Sequence, residues 1–160
     1  MAEDRRRATV ITVSTRAANG VYDDEAGPRL VAELTAGGFT VGPVVVVPDG
    51  RDVVAEALRG ALPTADVMVT TGGTGMHPRD ETPEATGDVI DYRVDGIAEA
   101  MRVAACQITP MGMLSRAIAG VAGRTLIVNL PGSPKGAVEN LSVVLPVLGH
   151  AIDQLHGGDH

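Results

Sequence analysis

Aromatic side chains are almost missing from this 160-residue chain: Tyr22, Phe39 and Tyr92 are the only ones, and there is no tryptophan. Positive charge is scarce too, with 13 Lys plus Arg against 20 Asp plus Glu and a net charge of −7. Proteins that grip extended nucleic acid use basic stripes and aromatic stacking platforms, so no nucleic-acid partner is expected. Cys106 is the lone cysteine, which rules out an intrachain disulfide and suits a reducing compartment. No apolar run approaches membrane-spanning length; "VGPVVVVP" is among the longest. The opening "MAEDRRRA" is charged and has no apolar core of a signal peptide behind it. A cytoplasmic protein with no membrane partner is the expectation.

What the chain does have is the composition of a globular domain, 44% hydrophobic and 21% charged. One domain over residues 1–160 is expected, with about 1–7 and 157–160 as flexible tails. "ATVITVS" (Ala8–Ser14), "VGPVVVV" (Val41–Val47), "ADVMVTT" and "TLIVNL" (Thr125–Leu130) read as strands. They are β-branched and almost continuously apolar, as strands covered on both faces are. "PRLVAELTAGG" places Leu30, Val31 and Leu34 at helical spacing before a Gly37-Gly38 stop. "RDVVAEALRGAL" puts Val54, Leu58 and Leu62 on one helical face. The stretch between the last two strands reads as helical, and a C-terminal helix carries Leu141, Leu145, Leu148, Ile152 and Leu155 past Pro146. Alternating strands and helices predict an α/β fold: three layers, an open, mostly parallel sheet with helices on both faces.

In such sheets ligands bind beyond the carboxyl ends of the strands. Four strand exits carry polar chemistry: Ser14-Thr15-Arg16, Pro48-Asp49-Gly50, Gly72-Gly73-Thr74-Gly75 and Pro131-Gly132-Ser133-Pro134. Glycines let the backbone approach a ligand and present N–H groups to an anion, although a plain tight turn has the same composition. Thr82-Pro83 and Ser133-Pro134 each read as a hydroxyl N-cap with proline at the first helical position, which aims a helix N-terminus at the same edge. Asp49 and Asp80 would repel phosphate unless a cation lay between them, and such oxygen ligands suit Mg²⁺ bridging to a nucleotide. His77, His150, His156 and His160 show no zinc-ligand spacing. Cys106 reads as a packed core thiol, and Met101, Met111 and Met113 as core or interface fillers.

"TTGGTGMHPRDETPEAT" and "NLPGSPKGAVENL" resemble the two signatures of the MogA/MoaB family of molybdenum cofactor biosynthesis proteins. "GVYDDEAGP", "VPD" and "LSRAIAG" fall in family order with them, so the resemblance spans Val10 to Leu155. It implies the molybdopterin-binding fold and a homotrimer. For the enzymatic members it implies Mg²⁺-dependent transfer of AMP from ATP to molybdopterin, releasing pyrophosphate.

Carried over position by position, Asp49 and Asp80 match the family's catalytic, metal-associated acids. Gly72, Gly73, Thr74 and Gly75 match its nucleotide loop, and Ser115, Pro131 and Gly132 match positions lining the site. Ser14, Thr15, Glu84, Ser133 and Lys135 complete the expected nucleotide- and molybdopterin-binding set. The chain departs from the family at Thr15, where many members carry aspartate after a serine. The alternative to an adenylyltransferase is a non-catalytic molybdopterin-binding or scaffold protein of MoaB type. A nucleotide-pyrophosphate hydrolase of the competence-damage type ranks third, since its glycine stretch typically lacks the "RDETPEAT" continuation.

Overall fold

The computed structural model describes residues 6–158. In chain order the elements are β1 (Arg7–Val13), α1 (Thr15–Ala18), α2 (Ala26–Ala36), β2 (Thr40–Val41), β3 (Val45–Val47), α3 (Arg51–Ala61) and β4 (Val67–Thr71). There follow α4 (Thr82–Val89), β5 (Tyr92–Arg93), α5 (Asp95–Ile108), β6 (Ala119–Ala122), β7 (Thr125–Leu130) and α6 (Pro134–Leu155).

All seven strands join one sheet in the order β2-β1-β4-β7-β6-β5, with β3 also beside β1. β1, β4 and β7 form the parallel centre, and antiparallel pairing is confined to β6 with its neighbours β5 and β7. The architecture is therefore the expected mostly parallel α/β sheet. Its central strands are buried on both faces, and their side chains alternate between two cores. Val10, Val69 and Val128 face Leu30, Leu34, Leu141 and Leu148 of α2 and α6. Ile11, Met68 and Ile127 face Val54 and Leu58 of α3 and Ala85 of α4.

Three local readings change. The single strand expected over 41–47 is two short ones, because Gly42-Pro43 interrupts an edge where Pro43 has no N–H to give. The stretch before β7 is not wholly helical: β5 and β6 add an antiparallel edge. Ala119-Gly120-Val121-Ala122 is too poor in β-branched residues to announce a strand. α6 runs through Pro146 as expected, its buried Ala137, Leu141, Val144, Leu148 and Ile152 keeping it on the sheet. Cys106 is exposed on α5 rather than packed. Met101 is buried as expected of a core filler, whereas Met111 and Met113 are exposed.

The expected tails lie partly outside the described residues, at 1–5 and 159–160. Where the chain is described it already belongs to the fold. Arg6 Nη2 reaches Asp153 at 3.0 Å, and Gly158 N donates to the Asp153 carbonyl at 2.8 Å. Arg7 opens β1 and grips the buried Asp66, its backbone N–H donating at 2.7 Å. Burial pushes the Asp66 carboxyl up, but the hydrogen bonds and charge of Arg7, with His156, outweigh it and hold the group below the usual range. Among the described residues, no helix is long and apolar enough to cross a membrane.

Candidate functional site

Register brings the strand exits together. Val13 lies beside Val47, Thr12 beside Thr71, and Thr71 beside Leu130. The residues that follow these ends therefore emerge on one edge of the sheet, with β4 between β1 and β7.

Each exit is tied to its neighbour. Thr15 after β1 locks Asp49 after β3: its N–H and hydroxyl both donate to Asp49 Oδ2, at 3.1 and 2.8 Å. The same hydroxyl accepts the Asp49 N–H at 3.1 Å. At the position where the resemblance implies a carboxylate, a hydroxyl thus orients another carboxylate. Ser14 caps α1 by accepting from Ala17 N, and its hydroxyl also lies 2.8 Å from the Tyr22 hydroxyl. Thr71 donates to the Pro131 carbonyl at 2.7 Å, binding the β4 exit to the β7 exit.

Gly72 and Gly73 cannot be other residues in this arrangement. Both have positive φ, +103° and +69°. A Cβ on Gly72 would lie 2.2 Å from the Val13 carbonyl oxygen, and one on Gly73 2.3 Å from Thr82 Oγ1. On Gly73 it would also come within 3.5 Å of Asp49 Oδ1, so that carboxylate sits directly beside the loop. Gly132 packs closely but less tightly, its missing Cβ 3.2 Å from the Gly72 Cα. Among the described residues, the Gly73 and Thr74 amides donate to no protein acceptor.

Thr82 corrects the capping expectation. It is the first residue of α4 rather than its N-cap, and its hydroxyl donates to the Gly72 carbonyl at 2.9 Å. Thr82 thus shapes the glycine loop from below. Ser133 behaves as expected: it caps α6 by accepting from Gly136 N, with Pro134 as the first helical residue.

Two cavities meet at this loop. The first, about 690 Å³, is lined by Ser14, Thr15, Asp49, Gly72, Gly73, Asp80 and Gly132, together with Asp23, Asp24, Glu25, Arg16 and Arg79. The second, about 470 Å³, is lined by Gly73, Thr74, Gly75, Asp80, Ser115, Pro131 and Gly132 with Arg102, Asn140 and the apolar Ile108, Met111 and Leu114. Gly73, Asp80 and Gly132 belong to both. Each cavity has the size of an ordinary small-molecule pocket.

Three sequence-predicted residues line neither cavity: Glu84, Ser133 and Lys135. Lys135 points to solvent, its side chain 82% exposed and 3.8 Å from Glu139. Glu84 instead forms an ion pair with Arg116. That hydrogen bond holds the Glu84 carboxyl below its usual range, although burial opposes it. Its other oxygen, Oε2, is buried and has no hydrogen-bond partner among the described residues.

Asp49 and Asp80 each keep an oxygen that could serve a cation. Asp80 Oδ2 accepts from Gly75 N at 3.1 Å and from His77 N at 3.3 Å, and Asp49 Oδ2 is held by Thr15. Each therefore retains one carboxylate oxygen, Oδ1, with no protein hydrogen bond among the described residues. That set fits Mg²⁺, which takes one or two carboxylates and completes its shell with water and phosphate. Among the described residues, no three acidic, histidine or cysteine side chains cluster as a self-sufficient metal cage.

Sequence reading missed Arg116. Its Nε donates to the Gly75 carbonyl at 2.8 Å, Nη2 to the Asp80 carbonyl at 2.7 Å, and its backbone N–H to the Thr74 carbonyl at 2.8 Å. The only signal was its place beside Ser115 in "LSRAIAG".

The model of the "Probable molybdopterin binding domain" family matches residues 9–150. The chain is 36% identical over 154 residues to molybdopterin adenylyltransferase of Helicobacter pylori, covering 92% of this chain and 86% of that protein. It is 39% identical over 154 residues to gephyrin of Dictyostelium discoideum, covering 89% of this chain but only 21% of that longer protein. The crystal structure of the molybdopterin biosynthesis enzyme MoaB of Thermus thermophilus superposes with a TM-score of 0.89 at 45% identity, over 95% of this chain and 97% of that one. With the family model matched over most of its length and its two signatures meeting at one edge of the sheet, this chain belongs to the MogA/MoaB family of molybdenum cofactor biosynthesis proteins.

Proposed function

We propose that this protein is a molybdopterin adenylyltransferase, converting ATP and molybdopterin to adenylylated molybdopterin and pyrophosphate with Mg²⁺. The observation that carries the reading is the pair of cavities that share Gly73, Asp80 and Gly132. A reaction that joins two ligands needs a seat for each and a common wall where the reacting groups meet. The name of the Helicobacter pylori relative points the same way.

In this reading the phosphates meet along Gly72–Gly75. The Gly73 and Thr74 amides donate to phosphate oxygens, and the N-terminus of α6 adds its dipole. Asp49 and Asp80 would hold the cation, Thr15 keeping Asp49 in place. Bound Mg²⁺ supplies charge neutralisation of the triphosphate. No protein nucleophile is required: an oxygen of the pterin's terminal phosphate bonds to the α-phosphorus as the bond to pyrophosphate breaks. The chain contributes positioning and fixed dipoles, the usual contribution to phosphoryl and nucleotidyl transfer. Cytoplasmic placement belongs to the same reading and agrees with a lone Cys106 that has no thiol partner in the chain.

Purified protein given ATP, Mg²⁺ and molybdopterin is expected to release pyrophosphate, and leaving out any one of the three is expected to stop it. Pterin binding without pyrophosphate release would move the reading to a scaffold of MoaB type.

Assembly as a homotrimer is part of the proposal. The number three rests on the family resemblance. Association itself is supported by the apolar Val103, Ile108, Met111, Met113 and Leu114, all exposed on α5 and the turn after it. Sedimentation at micromolar concentration is expected to give three times the 16.4 kDa chain mass. A monomer would contradict it.

A further inference from the structure

We propose that Arg116 is a positioning residue: its guanidinium, braced by Glu84, fixes the glycine loop and Asp80 relative to each other. This rests on the adenylyltransferase reading for its consequence, but not for its geometry.

Arg116 lines neither cavity, so it acts through other groups. Its side-chain partners come from three places in the chain. Gly75 O belongs to the glycine loop, Asp80 O to the segment before α4, and the Glu84 carboxylate to α4 itself. The backbone N–H adds Thr74 O as a fourth anchor. Between Gly75 and Asp80, residues 76–79 are exposed, and Met76 is 70% so. Within the segment, the Gly75 and His77 amides donate to Asp80 Oδ2 and Asp80 N to His77 O, closing a small ring. Arg116 is what fastens that ring to the body of the protein.

A planar fork with five donors can serve three acceptors in fixed directions, whereas an ammonium on a flexible stem cannot. Glu84 sets the fork's orientation from a helix packed on the sheet, which makes the ion pair a brace rather than a ligand. The consequence for chemistry is that Asp80 and the Gly73–Thr74 amides hold their spacing before any ligand arrives.

The test uses Arg116→Lys and Arg116→Ala in the full chain, with Glu84→Gln as a milder third variant that keeps an acceptor. Amide hydrogen exchange is read first, on the ligand-free protein, and so is independent of any reaction. Exchange across 75–80 is expected to quicken about tenfold or more in both Arg116 variants, while β1, β4 and β7 are unchanged. Unchanged exchange across 75–80 overturns the proposal.

Turnover is read second. In Arg116→Lys, kcat is expected to fall about 30- to 100-fold with KM for ATP within about threefold, the pattern of displaced rather than missing contacts. Added guanidinium ion is expected to restore part of the kcat of Arg116→Ala, and Glu84→Gln to lose less than either. A kcat loss that follows thermal stability, with no rescue, overturns the positioning role, as does a normal kcat. If the wild-type chain transfers no adenylyl group, that reading falls by itself. The exchange across 75–80 then decides the proposal alone, and unchanged exchange in Arg116→Lys overturns it.

Discussion

Asp80→Asn is expected to cut adenylyl transfer by about two orders of magnitude or more at saturating Mg²⁺, roughly 2.7 kcal/mol of transition-state stabilisation. Asparagine keeps the size of the side chain and one oxygen to accept the Gly75 and His77 amides, so the loop it closes should survive. What it removes is the carboxylate charge beside the shared wall of the two cavities. From sequence alone, relief of repulsion with Asp49 suggests equal or slightly raised thermal stability. The structure reverses that sign. Asp80 Oδ2 accepts two backbone N–H groups, and bonds to an ionised acceptor are the stronger kind, so about 1 kcal/mol of stability should be lost. Molybdopterin affinity should be retained, because the pterin does not need this charge. Turnover near that of the wild type, in a folded Asp80→Asn protein, would remove Asp80 from the metal role.

Gly72→Ala is expected to have the largest effect on folding, a loss of about 3 to 5 kcal/mol. The alanine Cβ would be driven against the Val13 carbonyl oxygen, at 2.2 Å, in a backbone conformation of φ +103° that L-residues avoid. β1 and β4 are the neighbours that hold the sheet's centre, so neither side can yield cheaply. In a chain of this size the loss corresponds to a melting temperature lower by roughly 6 to 20 °C. Gly87→Ala in α4 is the control: its Cβ meets nothing within 4 Å, and it should gain about 0.5 to 1 kcal/mol. Urea unfolding of the two variants checks both signs, and a loss under about 1 kcal/mol at Gly72 would contradict the packing described. The same geometry disqualifies Gly73→Val as a pure probe of ligand approach. A side chain there collides with Thr82 before any ligand is present.

Where hydrophobic pattern decides structure, the sequence was readable. β1, β4 and β7 are almost continuously apolar runs, and α2, α3 and α6 carry apolar residues three and four apart. β6 was not readable, because Ala119 and Gly120 owe their strand conformation to pairing with β7 and not to their own preference. Cys106 misled because its helical neighbours are small and apolar, which describes an exposed face of α5 as well as a buried one. The site divides in the same way. Asp49 and the glycines follow strands closely, so the rule about strand ends finds them, whereas Asp80 lies nine residues past the end of β4. Arg116 could not be found so, since its partners are carbonyls and a carboxylate 32 to 41 residues away. Lys135 lies inside a signature, yet its side chain is exposed to solvent and lines neither cavity. Thr15 looked like a lost charge and is instead the clamp on Asp49.

The central claim is that two ligands are joined across the glycine loop, and the most direct measurement follows the α-phosphorus of ATP. With ATP labelled at that atom, Mg²⁺ and molybdopterin, the account expects label to appear on the pterin, with one pyrophosphate released for each labelled molecule. Label remaining in ATP while molybdopterin is bound, or appearing only in free AMP or ADP, would contradict it.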